Sequence, residues 1–498
     1  MLLSQLLDTA GAALPPGSDP EVSRVTADSR TVAPGTAFFA VRGSRQDGHD
    51  FAAEAAHRGA AAVVAEREVA CEPAPLARVA DARRALALAA ARLEGNPGEA
   101  LSLAGVTGTN GKTTVAFLVD ACLRQAGVPS GLIGTVAYRW PGGERPAPHT
   151  TPDAVALQAL LAEMRRAGAR AAVLEVSSHA LDQERVAGLV FRVAGFTNLT
   201  RDHLDYHGDL ERYFLAKRRL FAEGMAAGGV AVVNGDDPFG DRLHRELTDA
   251  GRTAWRFGTS GAAEVRAHEV RITLSGIEAS LETPAGILPL RSPLVGAHNL
   301  ENLLLAAGMA LGLGLPPGAV AAGLASSTGA PGRLERLEKG GVIAFVDYAH
   351  TDDALRRVTE ALRRLDPRRL LVVFGCGGDR DRGKRPLMGE VAGRAADLAV
   401  VTSDNPRSED PLAIIGEILP GLERAGARRL EVAEARGGAS GYAVVPDRRE
   451  AIALALAAAR PGDAVLIAGK GHEDYQITGA GRRHFDDREE ARRALGIA

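Results

Sequence analysis

At 498 residues, the chain is too long for one hydrophobic core, and its length corresponds to about three domains. Its 46% hydrophobic, 24% charged and 4% aromatic composition excludes disorder. A net charge of -3 excludes any global attraction to nucleic acid or to an anionic membrane.

The N-terminal run Met-Leu-Leu-Ser-Gln-Leu-Leu-Asp has no basic start before an apolar core, and no later stretch of about 18 apolar residues occurs, so neither a signal peptide nor a membrane span is expected. Cys71, Cys122 and Cys376 lie far apart without paired metal-ligand spacing, which fits a reduced, cytoplasmic setting.

Residues 1–97 mix short β-like runs, such as Thr36-Ala-Phe-Phe-Ala-Val, with an Ala-rich helical stretch over 81–93. They close on Gly95-Asn-Pro-Gly, a linker signal. Next, the apolar run Leu101-Ser-Leu-Ala-Gly-Val leads into Gly108-Thr-Asn-Gly-Lys-Thr-Thr and the helix-like Val115-Ala-Phe-Leu-Val-Asp-Ala-Cys-Leu. Consecutive N–H groups between a strand and a helix make an anion site, because unpaired amides and the helix dipole both favour negative charge there. Gly108 and Gly111 allow close backbone approach, Lys112 supplies a point charge, and Thr113 offers a hydroxyl for Mg²⁺. The strict phosphate-loop pattern has Gly where this chain has Val106, so the loop is a variant. A chance Gly-Lys-Thr at a helix cap is the bland alternative, and a phosphate cradle alone does not separate a GTPase, a motor, a kinase and a ligase.

Between Leu101 and about 328, strand-like runs such as Ala171-Ala-Val-Leu-Glu-Val and Val230-Ala-Val-Val-Asn alternate with helical segments, predicting a parallel sheet covered on both faces. Glu175 ends one such strand, where a carboxylate could meet a metal held by Thr113 or simply be a solvated Glu. Asp202-His203-Leu-Asp-Tyr-His follows another strand, and His203 is a metal or phosphate candidate against a buried structural His. Lys217 lies on an amphipathic helix, where most lysines are only solvated. A β-rich insert spans about 263–295.

From Gly329-Ala-Pro-Gly onward, Val342-Ile-Ala-Phe-Val-Asp leads into a helix with Leu355, Val358, Leu362 and Leu365 on one face. Leu370-Leu-Val-Val-Phe, Leu398-Ala-Val-Val-Thr and Ala464-Val-Leu-Ile-Ala then complete a second open α/β domain, with ligands expected at the carboxyl ends of these strands. The Ala/Gly/Arg-rich stretch 431–442 reads as a surface insertion.

Gly108-Thr-Asn-Gly-Lys-Thr-Thr, Glu175-Val-Ser-Ser-His, Asp202-His-Leu-Asp-Tyr-His-Gly, the Lys217 helix, His298-Asn-Leu-Glu-Asn, Gly332-Arg-Leu-Glu, Asp347-Tyr-Ala-His and Gly469-Lys-Gly-His-Glu together resemble the Mur ligases, over essentially the whole chain and in the family's order. Asp28-Ser-Arg with Phe38-Phe-Ala-Val-Arg-Gly, and Asp404-Asn-Pro-Arg, resemble the members that add diaminopimelate as the third peptide residue.

The resemblance implies an α/β fold of three domains: a mixed N-terminal UDP-sugar-binding domain over 1–97, a central P-loop ATPase-type parallel-sheet domain over 98–329, and a C-terminal Rossmann-like, amino-acid-binding domain over 330–498. It implies an ADP-forming ligase that joins meso-2,6-diaminopimelate to UDP-N-acetylmuramoyl-L-alanyl-D-glutamate through an acyl phosphate, in peptidoglycan precursor synthesis. Small molecules are the only partners implied, with no nucleic acid, and the chain is expected to be a monomer. ATP is the co-substrate, Mg²⁺ the cofactor, and Lys217 is expected to carry a CO₂-derived carbamate. A lysine must be uncharged to attack CO₂, and the carbamate is an anion that a metal accepts.

By the same resemblance, Gly108, Thr109, Asn110, Gly111, Lys112, Thr113, Thr114, Asn302, Arg333 and Asp347 contact ATP, with Arg333 reaching phosphate from the third domain. Lys112, Glu175, His203 and Lys217 carry catalysis, with Thr113, Glu175, His203 and carbamylated Lys217 at the metal. Ala27, Ser29, Ser44, Arg45, Gln46, His149, Thr150, Thr151, Ser177, Gln183 and Arg185 meet the UDP-sugar dipeptide. Arg380, Asp404, Asn405, Pro406, Arg407, Gly469 and Glu473 meet diaminopimelate. Arg407 can fork onto the distal carboxylate that lysine lacks; an exposed turn with an incidental arginine is the alternative.

Two positions depart from the family: His149 where many relatives have Asn, and Asp352 where Pro is usual. A lysine-adding Mur ligase, folylpolyglutamate synthase and a P-loop switch or motor are the rival functions. The absence of an Asn-Lys-x-Asp signal disfavours a GTPase, and the N-terminal block disfavours the folate enzyme.

Overall fold

The computed structural model describes residues 1–43, 46–259 and 263–497. The chain forms two compact units, one of Met1–Ala267, Leu281–Leu288 and Glu301–Leu324, the other of His268–Ser280, Pro289–Leu300 and the chain from Ala325 onward.

The first unit begins with a parallel four-stranded sheet, Arg24–Thr26, Thr36–Phe39, Ala62–Ala65 and Leu76–Arg78, in chain order. Phe38, Phe39, Val63 and Val64 are fully buried, as a sheet covered on both faces requires. The helix Ala82–Leu93 starts where the Asp81 side chain accepts from the Arg84 N–H, and it buries alanines against Leu3, Leu6 and Phe39.

The same unit holds a larger sheet. Its parallel core runs Thr253–Gly258, Met225–Asn234, Phe191–Phe196, Ser102–Thr107, Ala171–Glu175, Ser130–Ile133. The phosphate-loop strand Ser102–Thr107 is therefore interior, between Phe191–Phe196 and Ala171–Glu175. Val106 pairs with Glu175, and Thr107 with Phe196. This register delivers Gly108, Glu175 and Thr197 to one carboxyl edge of the sheet. It also accounts for Val106: the position is a fully buried strand residue, where Gly would weaken the ladder. The predicted β-rich insert is the run Val265–Thr273, Gly276–Thr283, Gly286–Ser292, and the division between the two units passes through it.

In the second unit, Glu335–Lys339 pairs antiparallel with Val342–Asp347, and the parallel strands Ala464–Ala468, Leu370–Phe374, Leu398–Val401 and Gly441–Val444 follow. The helix Asp352–Arg363 buries Leu355 and Leu362, with Val358 and Leu365 packed on the same core. Thr351 caps it and Asp352 is an acidic residue of its first turn, so the departure from Pro leaves a sound helix start.

The stretch 431–442 lies mostly at the surface but is regular structure. It forms the helix Val432–Gly437 and enters the edge strand Gly441–Val444, burying Ala435 and Tyr442. Its Gly residues are junctions: Gly438, at φ +95°, ends the helix, and Gly441 passes so close to the Arg428 carbonyl that a Cβ would collide. Among the described residues, no helix is long and apolar enough to cross a membrane.

Candidate functional site

The loop Gly108–Gly111 ends at the helix Lys112–Gln125, whose N-cap, Gly111, has φ +88°. A Cβ at Gly111 would collide with the Asn302 side-chain carbonyl, and one at Gly108, φ +139°, with Thr197 Oγ1. The loop is held from one side: the Thr109 N–H donates to Asn198 O (2.8 Å), the Asn110 N–H to Asn198 Oδ1 (3.0 Å), and the Thr200 N–H to Thr109 Oγ1 (3.0 Å). Lys112 Nζ donates to Gly108 O and Thr109 O, both at 2.9 Å, which fixes its ammonium at the loop's mouth. Thr114 is buried on the helix's first turn.

Glu175 is fully buried. Its Oε2 accepts from Thr113 Oγ1 (2.8 Å) and Thr135 Oγ1 (3.1 Å), and its Oε1 from the Thr135 N–H (2.8 Å). Burial pushes its carboxyl up, against the Thr135 and Thr113 hydrogen bonds and the Lys112 charge. Thr135 went unassigned in the sequence, although it supplies two of these three bonds.

Lys217 is buried on the helix Leu210–Ala222, and its Nζ donates to Gly108 O at 2.9 Å, above the Tyr213 ring at 4.4 Å. Burial, reinforced by the Lys112 charge and opposed by Asp202, holds its ammonium well below the usual lysine range. An uncharged amine is the form that attacks CO₂. His203, with φ +52° and a half-exposed side chain, caps Leu204–His207; its ring lies edge-on to His179 at 4.9 Å and Tyr213 at 6.1 Å.

The donors around Glu175 are hard oxygens, a carboxylate and two hydroxyls, which suits Mg²⁺; that ion keeps waters and substrate phosphates in its shell and needs few protein ligands. Among the described residues, no cluster of three or more His, Cys, Asp or Glu is arranged to hold a metal.

A second group gathers at Thr151, which is buried. Thr151 Oγ1 donates to Glu175 O (2.8 Å) and accepts from the Ser177 N–H (3.1 Å), and Arg185 donates to Thr151 O (2.8 Å) and to Gln183 Oε1 (2.7 Å). Thr150 Oγ1 lies 3.0 Å from Thr135 Oγ1. His149 is exposed and contributes its carbonyl, to the Tyr138 hydroxyl at 2.5 Å, a contact that any residue supplies. In the N-terminal sheet, Ser29 opens the turn Ser29–Thr31, while Ala27 and Gln46 are exposed; no hydrogen bond joins these three among the described residues. Ser44 and Arg45 lie outside the described residues.

In the second unit, Asp347 ends its strand with both oxygens accepting backbone N–H groups, from Leu334 (2.8 Å) and Ala349 (2.9 Å); burial pushes its carboxyl up, against the Arg333 charge. This fixes the segment bearing Arg333, whose guanidinium stacks on Tyr348 at 5.1 Å. The remaining residues converge across three strand ends. Asn405 Nδ2 donates to Glu473 Oε2 (2.9 Å), Arg407 Nη1 to Gly378 O (2.6 Å), and Asp404 Oδ2 would stand 2.5 Å from a Cβ at Gly469. Arg407 holds φ +55°, unusual for a side-chain-bearing residue. A Cβ at Gly377 would meet Arg407 Nη1 at 2.9 Å and Arg380 Cγ at 3.8 Å, which puts both guanidinium-bearing chains at one glycine loop; one at Gly378 would collide with Pro406 O.

Three family models match in order: "Mur ligase family, catalytic domain" over residues 21–95, "Mur ligase middle domain" over 106–310 and "Mur ligase, glutamate ligase domain" over 332–471. A curated protein of Geobacter metallireducens, named UDP-N-acetylmuramoyl-L-alanyl-D-glutamate--2,6-diaminopimelate ligase, is 49% identical, covering 95% of this chain and 94% of its own. The chain belongs to the Mur ligase family. A Geobacter sulfurreducens protein of the same name is 48% identical over the same shares. A solved structure with that name aligns with this Mur ligase at a TM-score of 0.73 and 35% identity, covering 95% of each chain.

Proposed function

We propose that this Mur ligase is the ATP-dependent, ADP-forming enzyme that joins meso-2,6-diaminopimelate to UDP-N-acetylmuramoyl-L-alanyl-D-glutamate in peptidoglycan precursor synthesis. The observation that carries the reading is 49% identity, over nearly the whole of both chains, to a relative of that name. The convergence of Asp404, Asn405, Arg407, Gly469 and Glu473 supports the amino-acid choice.

A carboxylate at neutral pH is a poor electrophile. Transfer of the γ-phosphoryl of ATP to it makes an acyl phosphate, and an amine then displaces phosphate to leave an amide. The first step depends on positioning and charge neutralisation. The loop N–H groups and Lys112 hold the phosphates, with Thr109, Asn110, Gly111 and Thr114 shaping the cradle and Asn302 behind Gly111. Thr113 and Glu175 would hold one Mg²⁺, and His203 with a carbamate on Lys217 a second; such ions would supply neutralisation of phosphate charge. Thr135 keeps the Glu175 carboxylate oriented. Thr150, Thr151, Ser177, Gln183 and Arg185 orient the dipeptide, and Ala27, Ser29, Ser44, Arg45 and Gln46 its nucleotide end. Arg333, held in place through Asp347, adds positive charge to the phosphates. Arg380 and Arg407 hold carboxylates of the amino acid, while Asp404, Asn405 and Glu473 accept or orient its ammonium groups.

The reading places domain limits at 1–97, 98–329 and 330–498, and makes the protein a cytoplasmic monomer acting on small molecules. Mass spectrometry of a reaction containing ATP, the UDP-dipeptide and meso-diaminopimelate tests it. A UDP-tripeptide with one ADP per amide is expected, whereas ADP formed at the same rate without the amino acid would contradict it.

A further inference from the structure

Lys470 belongs to none of the contacts assigned above, yet its side chain is fully buried in the midst of them. It follows the strand Ala464–Ala468, and the glycines on either side determine its course. At Gly469, φ +124°, a Cβ would stand 2.5 Å from Asp404 Oδ2, and at Gly471, φ +55°, one would stand 2.7 Å from Tyr348 Cβ. The backbone therefore threads a gap that admits no side chain on either side of Lys470.

The Lys470 ammonium donates to Asn405 Oδ1 (3.2 Å) and pairs with Glu473 Oε2 (3.4 Å), with the Tyr475 ring 5.5 Å away. The Asn405 carbonyl also accepts the Ile477 N–H (2.9 Å). Two donors on Oδ1 fix which end of the amide is oxygen, so Nδ2 must be the end that donates to Glu473 at 2.9 Å. Glu473 Oε2 thus receives both an amide N–H and an ammonium. A carboxylate so held keeps its direction where it is largely removed from water.

We infer that Lys470 is a positioning residue for the amino-acid substrate, acting on Glu473 both directly and by way of Asn405: it holds the carboxylate in the single arrangement that receives the substrate's ammonium group. The inference rests on the proposed function, because it takes Glu473 and Asn405 as substrate contacts. It concerns neither the phosphates nor the UDP-dipeptide, so its effect is confined to one substrate.

The test is a double-mutant cycle on the full-length enzyme, with Lys470→Met, Glu473→Gln and the double variant, reading KM separately for meso-diaminopimelate, ATP and UDP-dipeptide. Lys470→Met alone strands a partly buried anion, whereas the double variant does not, so the double variant remains well folded even where the single one does not. The expected result is a rise of about tenfold or more in KM for meso-diaminopimelate in Lys470→Met, with the other two KM values within about twofold of wild type. In the Glu473→Gln background, Lys470→Met should add less than about a twofold further change, because the group it acts through is already gone. A further tenfold loss in that background, or an equal rise in all three KM values, would overturn the inference. Wild-type enzyme that fails to use meso-diaminopimelate would instead defeat the functional reading beneath it.

Discussion

Lys112 and Lys217 donate to the same atom, the carbonyl oxygen of Gly108, each at 2.9 Å. Two ammonium groups at one carbonyl repel each other, and the buried member, Lys217, yields its proton more readily. Burial first, and the neighbouring Lys112 charge second, push the Lys217 ammonium toward its uncharged form.

This relationship predicts the behaviour of Lys217→Met. A lysine held below its ordinary value of 10.5 binds fewer protons folded than unfolded. It opposes folding fully below its lowered pKa, and the penalty fades as pH rises toward 10.5. Compared with wild-type enzyme freed of CO₂, Lys217→Met should therefore be more stable at neutral pH, with a flatter alkaline stability curve, while losing activity that added short carboxylates partly restore. Wild-type enzyme should carry the mass of one added CO₂ on Lys217. Parallel stability curves in calorimetry across that pH range would count against the account.

Glu175 gives the opposite sign. Its folded pKa lies above the ordinary 4.5, so the fold favours the protonated form. That contribution is complete below 4.5 and is lost as pH rises through the folded value. Glu175→Gln should remove the loss, stabilising the protein at neutral pH, and lower kcat by about 10²-fold or more, the scale of removing one charge-stabilising group from an active site. Thermal scans at paired pH values, with kcat measured alongside, check both parts.

Arg448 tests how the strand end bearing Asp404 is braced. Fully buried, it forks onto both Asp487 oxygens at 2.7 and 2.6 Å, donates to Ala468 O at 2.9 Å, and faces Asp404 Oδ2 at 4.0 Å. Arg448→Met leaves Asp487 charged in a dry site and should cost about 3–5 kcal/mol in denaturant titration. The double variant Arg448→Met/Asp487→Leu should recover most of that loss.

The cysteines offer a simple check on the cores. All three are buried and free, and burial pushes the Cys122 and Cys376 thiols up to about 12. Native protein should react slowly with a thiolate-selective reagent, and all three thiols should titrate once it is denatured. Fast labelling of native protein at Cys122 or Cys376 would contradict the packing.

Much of this was legible in the sequence because it is local. The phosphate loop lies within seven consecutive residues, Gly108 to Thr114, between an apolar strand and its helix. Glu175 and Asp347 ended their strands as expected, and Leu355, Val358, Leu362 and Leu365 formed one apolar face. The braces were not legible. Thr135 reaches Glu175 across 40 residues, Asn405 meets Glu473 across 68, and Arg448 meets Asp487 across 39. No periodicity marks such pairs; the sheet order brings them together. Lys470 stood inside a recognised motif and still gave no sign of its burial, because a lysine between two glycines reads as an exposed turn.

Selection by the Arg407 guanidinium of an amino acid with a second carboxylate is measured most directly by phosphate release from ATP. With UDP-N-acetylmuramoyl-L-alanyl-D-glutamate present, wild-type enzyme should release phosphate with meso-diaminopimelate and almost none with lysine, and Arg407→Ala should lose diaminopimelate turnover while keeping ATP affinity. Strong wild-type turnover with lysine, or equal loss of turnover and ATP affinity in Arg407→Ala, would contradict it.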